Sequence, residues 1–116
     1  MKYAWLAAGL VLGGAGCAAS AAAAADTEAA QALLRANNCT KCHSVAADKD
    51  GPSFRRTARG LAGRPNAEEA LLKHLTSGEP ATFPDGHEEP HKVVRTVPAN
   101  DLAQVRNLVR WILEQK

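Results

Sequence analysis

Residues Cys39-Thr40-Lys41-Cys42-His43 constrain this chain more than any other stretch. The C-x-x-C-H spacing reads as a covalent haem attachment site. Two thiols three positions apart suit two thioether bonds to one porphyrin edge, and the next residue, a histidine, reaches the iron from the proximal side. A C-x-x-C pair by itself also serves as a redox dithiol or as half a zinc site. Those uses need a thioredoxin-like βαβ pattern or a second cysteine pair. The chain has three cysteines, the third being Cys17, and its pattern shows no βαβ unit. The expectation is one covalent haem c, anchored at Cys39 and Cys42, with His43 as the proximal iron ligand.

The N-terminal part reads as a targeting segment. Met1-Lys2 is a short positive start, an apolar run follows from Ala4 to Leu12, and small residues continue to Ala25. That is the layout of a secretory signal peptide, too short and too rich in Gly and Ala for a transmembrane helix. Cleavage after the A-x-A of Ala23-Ala24-Ala25 would leave a haem domain over 26–116 and a leader over 1–25. Ala15-Gly16-Cys17 offers an alternative, a lipoprotein site that would tether the chain to a membrane through Cys17, although Gly14 stands where a leucine is usual. Export to the periplasm agrees with the motif in either case. With 14 basic and 12 acidic residues the charge is nearly balanced, which gives no reason to expect nucleic acid as a partner.

A domain this short supports only a marginal core unless something staples it, and a covalent haem is such a staple. Helical signals run from Asp26 to Asn38, with Ala29, Ala30, Leu33 and Leu34 on one face, and from Asn66, where Glu69 suggests a capping box, through Leu71, Leu72 and Leu75. The last helix is the clearest. Asn100 or Asp101 caps it, and Leu102, Val105, Leu108, Val109, Ile112 and Leu113 recur at helical spacing. Val45 to Ala62 reads as loop, and Glu79 to Ala99, with four prolines and Gly86, as irregular. The fold class expected is all-α, with no strand.

Helix, C-x-x-C-H, Gly51-Pro52, short helix, irregular loop and terminal helix together resemble a bacterial class I cytochrome c over nearly the whole of 26–116. The resemblance implies first and last helices that cross, a short middle helix, and long loops wrapped round one haem. It implies that Pro52 offers its carbonyl to His43, and that Trp111 packs on small residues of the first helix, with Ala29, Ala30 and Ala36 as the candidates. Arg55 and Arg56 are candidates for contact with the haem propionates, against the alternative of a solvated face that helps a partner dock.

The departure from the family lies on the other face of the iron. The family's usual distal ligand is a methionine before the last helix, and the chain's one methionine is Met1. His91, followed by Val93 and Val94 that could pack on the haem, is the candidate distal ligand, and His87 is the alternative. An open iron is a third possibility. His74 reads as a partly exposed helical residue. Zinc at the acidic loop 85–91 carries little weight, because its carboxylates are free to face water.

These readings imply an electron carrier that shuttles one electron between redox protein partners, and not an enzyme in itself. Two alternatives stay open: a gas-binding or sensing protein with a labile distal site, and the electron-accepting subunit of a periplasmic oxidoreductase complex.

Overall fold

In the computed structural model, which describes Gly16 and residues 23–116, four helices enclose a pocket. The leader over 1–25 and Cys17 lie outside the described residues, apart from Gly16 and 23–25. Helix α1 (Thr27–Ala36) starts where Asp26 accepts a hydrogen bond from the Ala29 N–H at 3.0 Å, a side-chain cap on an otherwise orphaned donor. Its buried side is Ala30, Leu33 and Leu34, while Ala29 and Ala36 face outward. A single 3₁₀ turn, Cys39–Lys41, follows.

Helix α2 (Phe54–Leu61) is a correction to the loop expected over 45–62. Ser53 caps it by accepting from Arg56 N–H at 3.1 Å, and Phe54 and Ala58, four apart, share the buried face. Eight residues offer only that pair of apolar anchors, too few for periodicity to register against Gly51-Pro52 and Gly60.

Helix α3 (Ala67–Ser77) begins where expected, but without the capping box. The Asn66 side chain makes no cap bond, and Glu69 instead accepts from Arg106 of the last helix at 2.8 Å. Gly78, at φ +69°, ends α3 in a left-handed conformation. The segment expected to be irregular holds a small hairpin, β1 (Pro80–Thr82) antiparallel to β2 (Glu88–Pro90), in register Pro80↔Pro90. Its prolines sit at the outer ends of two short edge strands, where a missing N–H costs little. The fold remains all-α, since the hairpin decorates the pocket rim.

Helix α4 (Leu102–Leu113) is capped by Asp101, whose carboxylate accepts from the N–H groups of Ala103 and Gln104. Val105, Leu108, Val109, Trp111 and Ile112 are buried, whereas Leu102 is half exposed. These join Ala30, Leu33 and Leu34 of α1 and the leucines of α3 in one core. Each fully buried Leu or Ile contributes about 1.5–3 kcal/mol, so this shared core outweighs any single helix's propensity. Asn107 locks the crossing of α1 and α4: its Oδ1 accepts from Asp26 N–H at 2.8 Å and its Nδ2 donates to Asp26 O at 2.9 Å. Among the described residues no helix is long and apolar enough to cross a membrane.

Candidate haem site

The attachment motif is shaped by its own backbone. Asn38 adopts a left-handed conformation at φ 54°, and the Cys42 and His43 N–H groups both return to the Cys39 carbonyl, at 3.2 and 3.0 Å. Cys39, Cys42 and His43 thereby line one pocket. Both thiols are free and partly buried. Burial pushes the Cys39 thiol above its usual range, with the Lys92 charge pulling the other way.

His43 is oriented by its neighbours. Its Nδ1 lies 2.7 Å from the Pro52 carbonyl oxygen. A carbonyl only accepts, so the ring proton sits on Nδ1 and the lone pair is left on Nε2, the form an iron needs. Gly51 makes this approach possible. A Cβ there would lie 2.7 Å from His43 Nδ1 and would overlap Cε1. Phe54 stacks on the imidazole with ring centres 5.5 Å apart and planes 20° apart, and Trp111 meets Phe54 edge-on at 5.6 Å. The 48–53 turn is braced by Asp48, which accepts from Ser53 N–H at 2.8 Å and pairs with Arg56 at 2.8 Å.

Opposite this face lies His91, its ring centre 6.2 Å from that of His43. His91 Nδ1 is buried and has no hydrogen-bond partner. Burial, reinforced by His74 and His43, holds this imidazole's pKa below the ordinary range. The His74 ring is 4.2 Å from the His91 ring, and its Nδ1 donates to Glu79 Oε1 at 3.0 Å. Both line the cavity of about 650 Å³, with Leu34, Phe54, Leu71, Leu75, Val94, Leu108 and Ile112.

His87 is elsewhere. It sits exposed at the hairpin turn, stacked on Phe83 at 4.4 Å, with Nδ1 bonded to Asp85 and Nε2 3.2 Å from Glu89. Arg55 and Arg56 are exposed and absent from the pocket wall. Lys92 is the lysine in that wall, donating to the Asn37 carbonyl at 3.0 Å. Val94 reaches the pocket, whereas Val93 is 44 % exposed. Trp111 shares the core with Ala30 alone of the three alanines named for it.

Several contributors were not singled out from the sequence. Phe54 and Asn37 carry no motif. Asn37 is nevertheless buried, donating to Leu33 O and Arg95 O at 3.0 Å and accepting from Arg95 N–H at 2.8 Å. His74 did leave a signal, because its spacing from Leu71 puts it on the same helical side as that buried leucine.

An apolar cavity of this size with two thiols in its wall, one oriented imidazole and one imidazole whose buried Nδ1 lacks a partner among the described residues fits a haem. Fold and pocket define a single-haem, all-α c-type cytochrome. Residues 27–116 match the family model Cytochrome c, and the chain belongs to that family as a class I c-type cytochrome. The chain is 28 % identical over 90 residues to cytochrome c-552 of Hydrogenobacter thermophilus, spanning 78 % of this chain and 85 % of that protein. Among solved structures it resembles the class 1 cytochrome MtoD of Sideroxydans lithotrophicus, with 49 % identity and a TM-score of 0.73 over 79 % of this chain and 98 % of that one. Cytochrome c552 of Nitrosomonas europaea is similar at 25 % identity and a TM-score of 0.57, over 74 % and 99 % of the two chains. The protein carries one covalent haem c and transfers electrons with redox partners; it is a carrier and not an enzyme.

Proposed function

We propose that this is an extracytoplasmic one-electron carrier whose haem iron is held between His43 and His91. The observation that carries the reading is the facing pair of imidazoles 6.2 Å apart across an apolar cavity. Two imidazoles bonded to one metal at about 2 Å each have ring centres about 6 Å apart. The His91 Nδ1, buried without a hydrogen-bond partner among the described residues, supports the same reading. Cys39 and Cys42 hold the porphyrin edge, Pro52 fixes the His43 tautomer, and the apolar wall excludes water. Haem supplies the Fe(III)/Fe(II) couple, and the protein tunes it within the roughly 0.8 V that haem proteins span.

Imidazole stabilises Fe(III) better than a thioether does, so the potential is expected below that of a His/Met relative. Export rests on the leader pattern of residues 1–25 and on the periplasmic habit of bacterial members of this family. Absorption and EPR spectra of the wild type beside His91→Ala and His87→Ala test the ligand set. Loss of the six-coordinate low-spin signal in His91→Ala alone is expected. Its survival in that variant, or its loss in His87→Ala, overturns the assignment.

A further inference from the structure

His91 lies just beyond a three-residue edge strand, and its buried Nδ1 has no hydrogen-bond partner among the described residues. Its backbone is well tied. The His91 N–H donates to the Glu79 carbonyl at 3.0 Å, and the Val94 N–H to the Leu75 carbonyl at 2.9 Å. Those bonds fix where the side chain starts, but leave the rotation of the imidazole about its own bonds unset. The group against that ring is His74, at 4.2 Å between centres with the planes tilted 43°.

His74 is itself held. It sits on α3 beside buried Leu75, and donates through Nδ1 to Glu79 Oε1 at 3.0 Å. The other oxygen of Glu79 lies 3.8 Å from Lys73 Nζ. Glu79 therefore grips both histidines: His74 through its carboxylate and His91 through its carbonyl. A ligand keeps its working geometry when its neighbour's rotamer is locked by packing and hydrogen bonds.

We propose that His74, clamped by Glu79, is a positioning residue that sets the plane of the His91 imidazole and does not itself bind the iron. The inference rests on His91 being the distal ligand. Losing the clamp frees the ring to rotate and lets the distal bond open more often. Disturbing the outer groups around a metal ligand commonly weakens its hold about 10- to 100-fold.

The test compares the haem-loaded wild type with His74→Ala, Glu79→Ala, Glu79→Gln and His91→Ala, by low-temperature EPR and by carbon monoxide titration of the ferrous form. His74→Ala and Glu79→Ala are expected to stay low-spin, with a shifted or broadened largest g-value and carbon monoxide affinity raised about tenfold. Glu79→Gln keeps an acceptor oxygen and is expected to resemble the wild type. Unchanged spectra and affinity in both alanine variants overturn the proposal, as does loss of the low-spin signal in His74→Ala, which would make His74 the ligand. Should His74→Ala fail to fold, the Glu79 pair, at a half-buried position, decides alone. A low-spin signal that survives in His91→Ala is a different failure, that of the ligand assignment.

Discussion

Gly51→Ala is the most informative single change at this site. A Cβ at Gly51 would lie 2.7 Å from His43 Nδ1, so the imidazole must swing away from the Pro52 carbonyl that it now meets at 2.7 Å. The bond at stake is worth roughly 0.5–1.5 kcal/mol net. It makes the imidazole a stronger donor, which favours Fe(III) over Fe(II). If all of that free energy separated the two oxidation states, about 1.4 kcal/mol would be a tenfold change, or about 59 mV for one electron. The potential of Gly51→Ala is therefore expected to rise, by up to about 60 mV, in a spectroelectrochemical titration. Pro52→Ala is the control, because alanine presents the same backbone carbonyl and should leave the potential near the wild-type value. An unchanged or lowered potential in Gly51→Ala refutes the reasoning. So does a Pro52→Ala shift as large as that of Gly51→Ala, since the proline ring and not the carbonyl would then be responsible.

Other expectations follow from particular contacts. Asn37→Ala strands the N–H and carbonyl of Arg95 and should cost about 2–3 kcal/mol in denaturant unfolding; a cost near zero would show that water replaces the amide. Trp111→Ala removes a 5 % exposed indole packed on Phe54 and should cost about 3–5 kcal/mol, read as a lowered thermal midpoint of the haem-loaded protein. Asp48 has its pKa lowered by the Ser53 N–H and by Arg56. A lowered folded pKa stabilises above the ordinary carboxylate range and loses that contribution as pH falls through the folded value. Asp48→Asn should therefore lose less thermal stability than the wild type between pH 6 and pH 3, and a parallel acid decline would refute the role.

What was legible in the sequence was local chemistry. The Cys39–His43 pentapeptide is read without a fold, because two thiols and an imidazole at fixed spacing address one porphyrin edge. Gly51-Pro52 is readable as a unit, and α4 is readable because Val105, Leu108, Val109 and Ile112 recur on one side and are buried together. Helix α2 leaves no periodic trace because Phe54 and Ala58 are its whole buried face, and the Asn66 capping box does not form because Glu69 pairs with Arg106, far along the chain.

Local sequence specifies that a haem is attached, that His43 can serve it from one side, and that no methionine near the last helix can serve it from the other. What stands opposite His43 is set by long-range backbone packing. His91 arrives there because its backbone is zipped to the end of α3 through Glu79 and Leu75, and His74 because the turn of α3 brings it against the same ring. His87, four residues earlier and chemically identical, is carried outward by the hairpin and spends its nitrogens on Asp85 and Glu89. Residue type alone ranks none of the three histidines, and loop position with the flanking Val93 and Val94 only favours His91. Backbone pairing across the pocket separated them, and those long-range bonds leave no local trace in the chain.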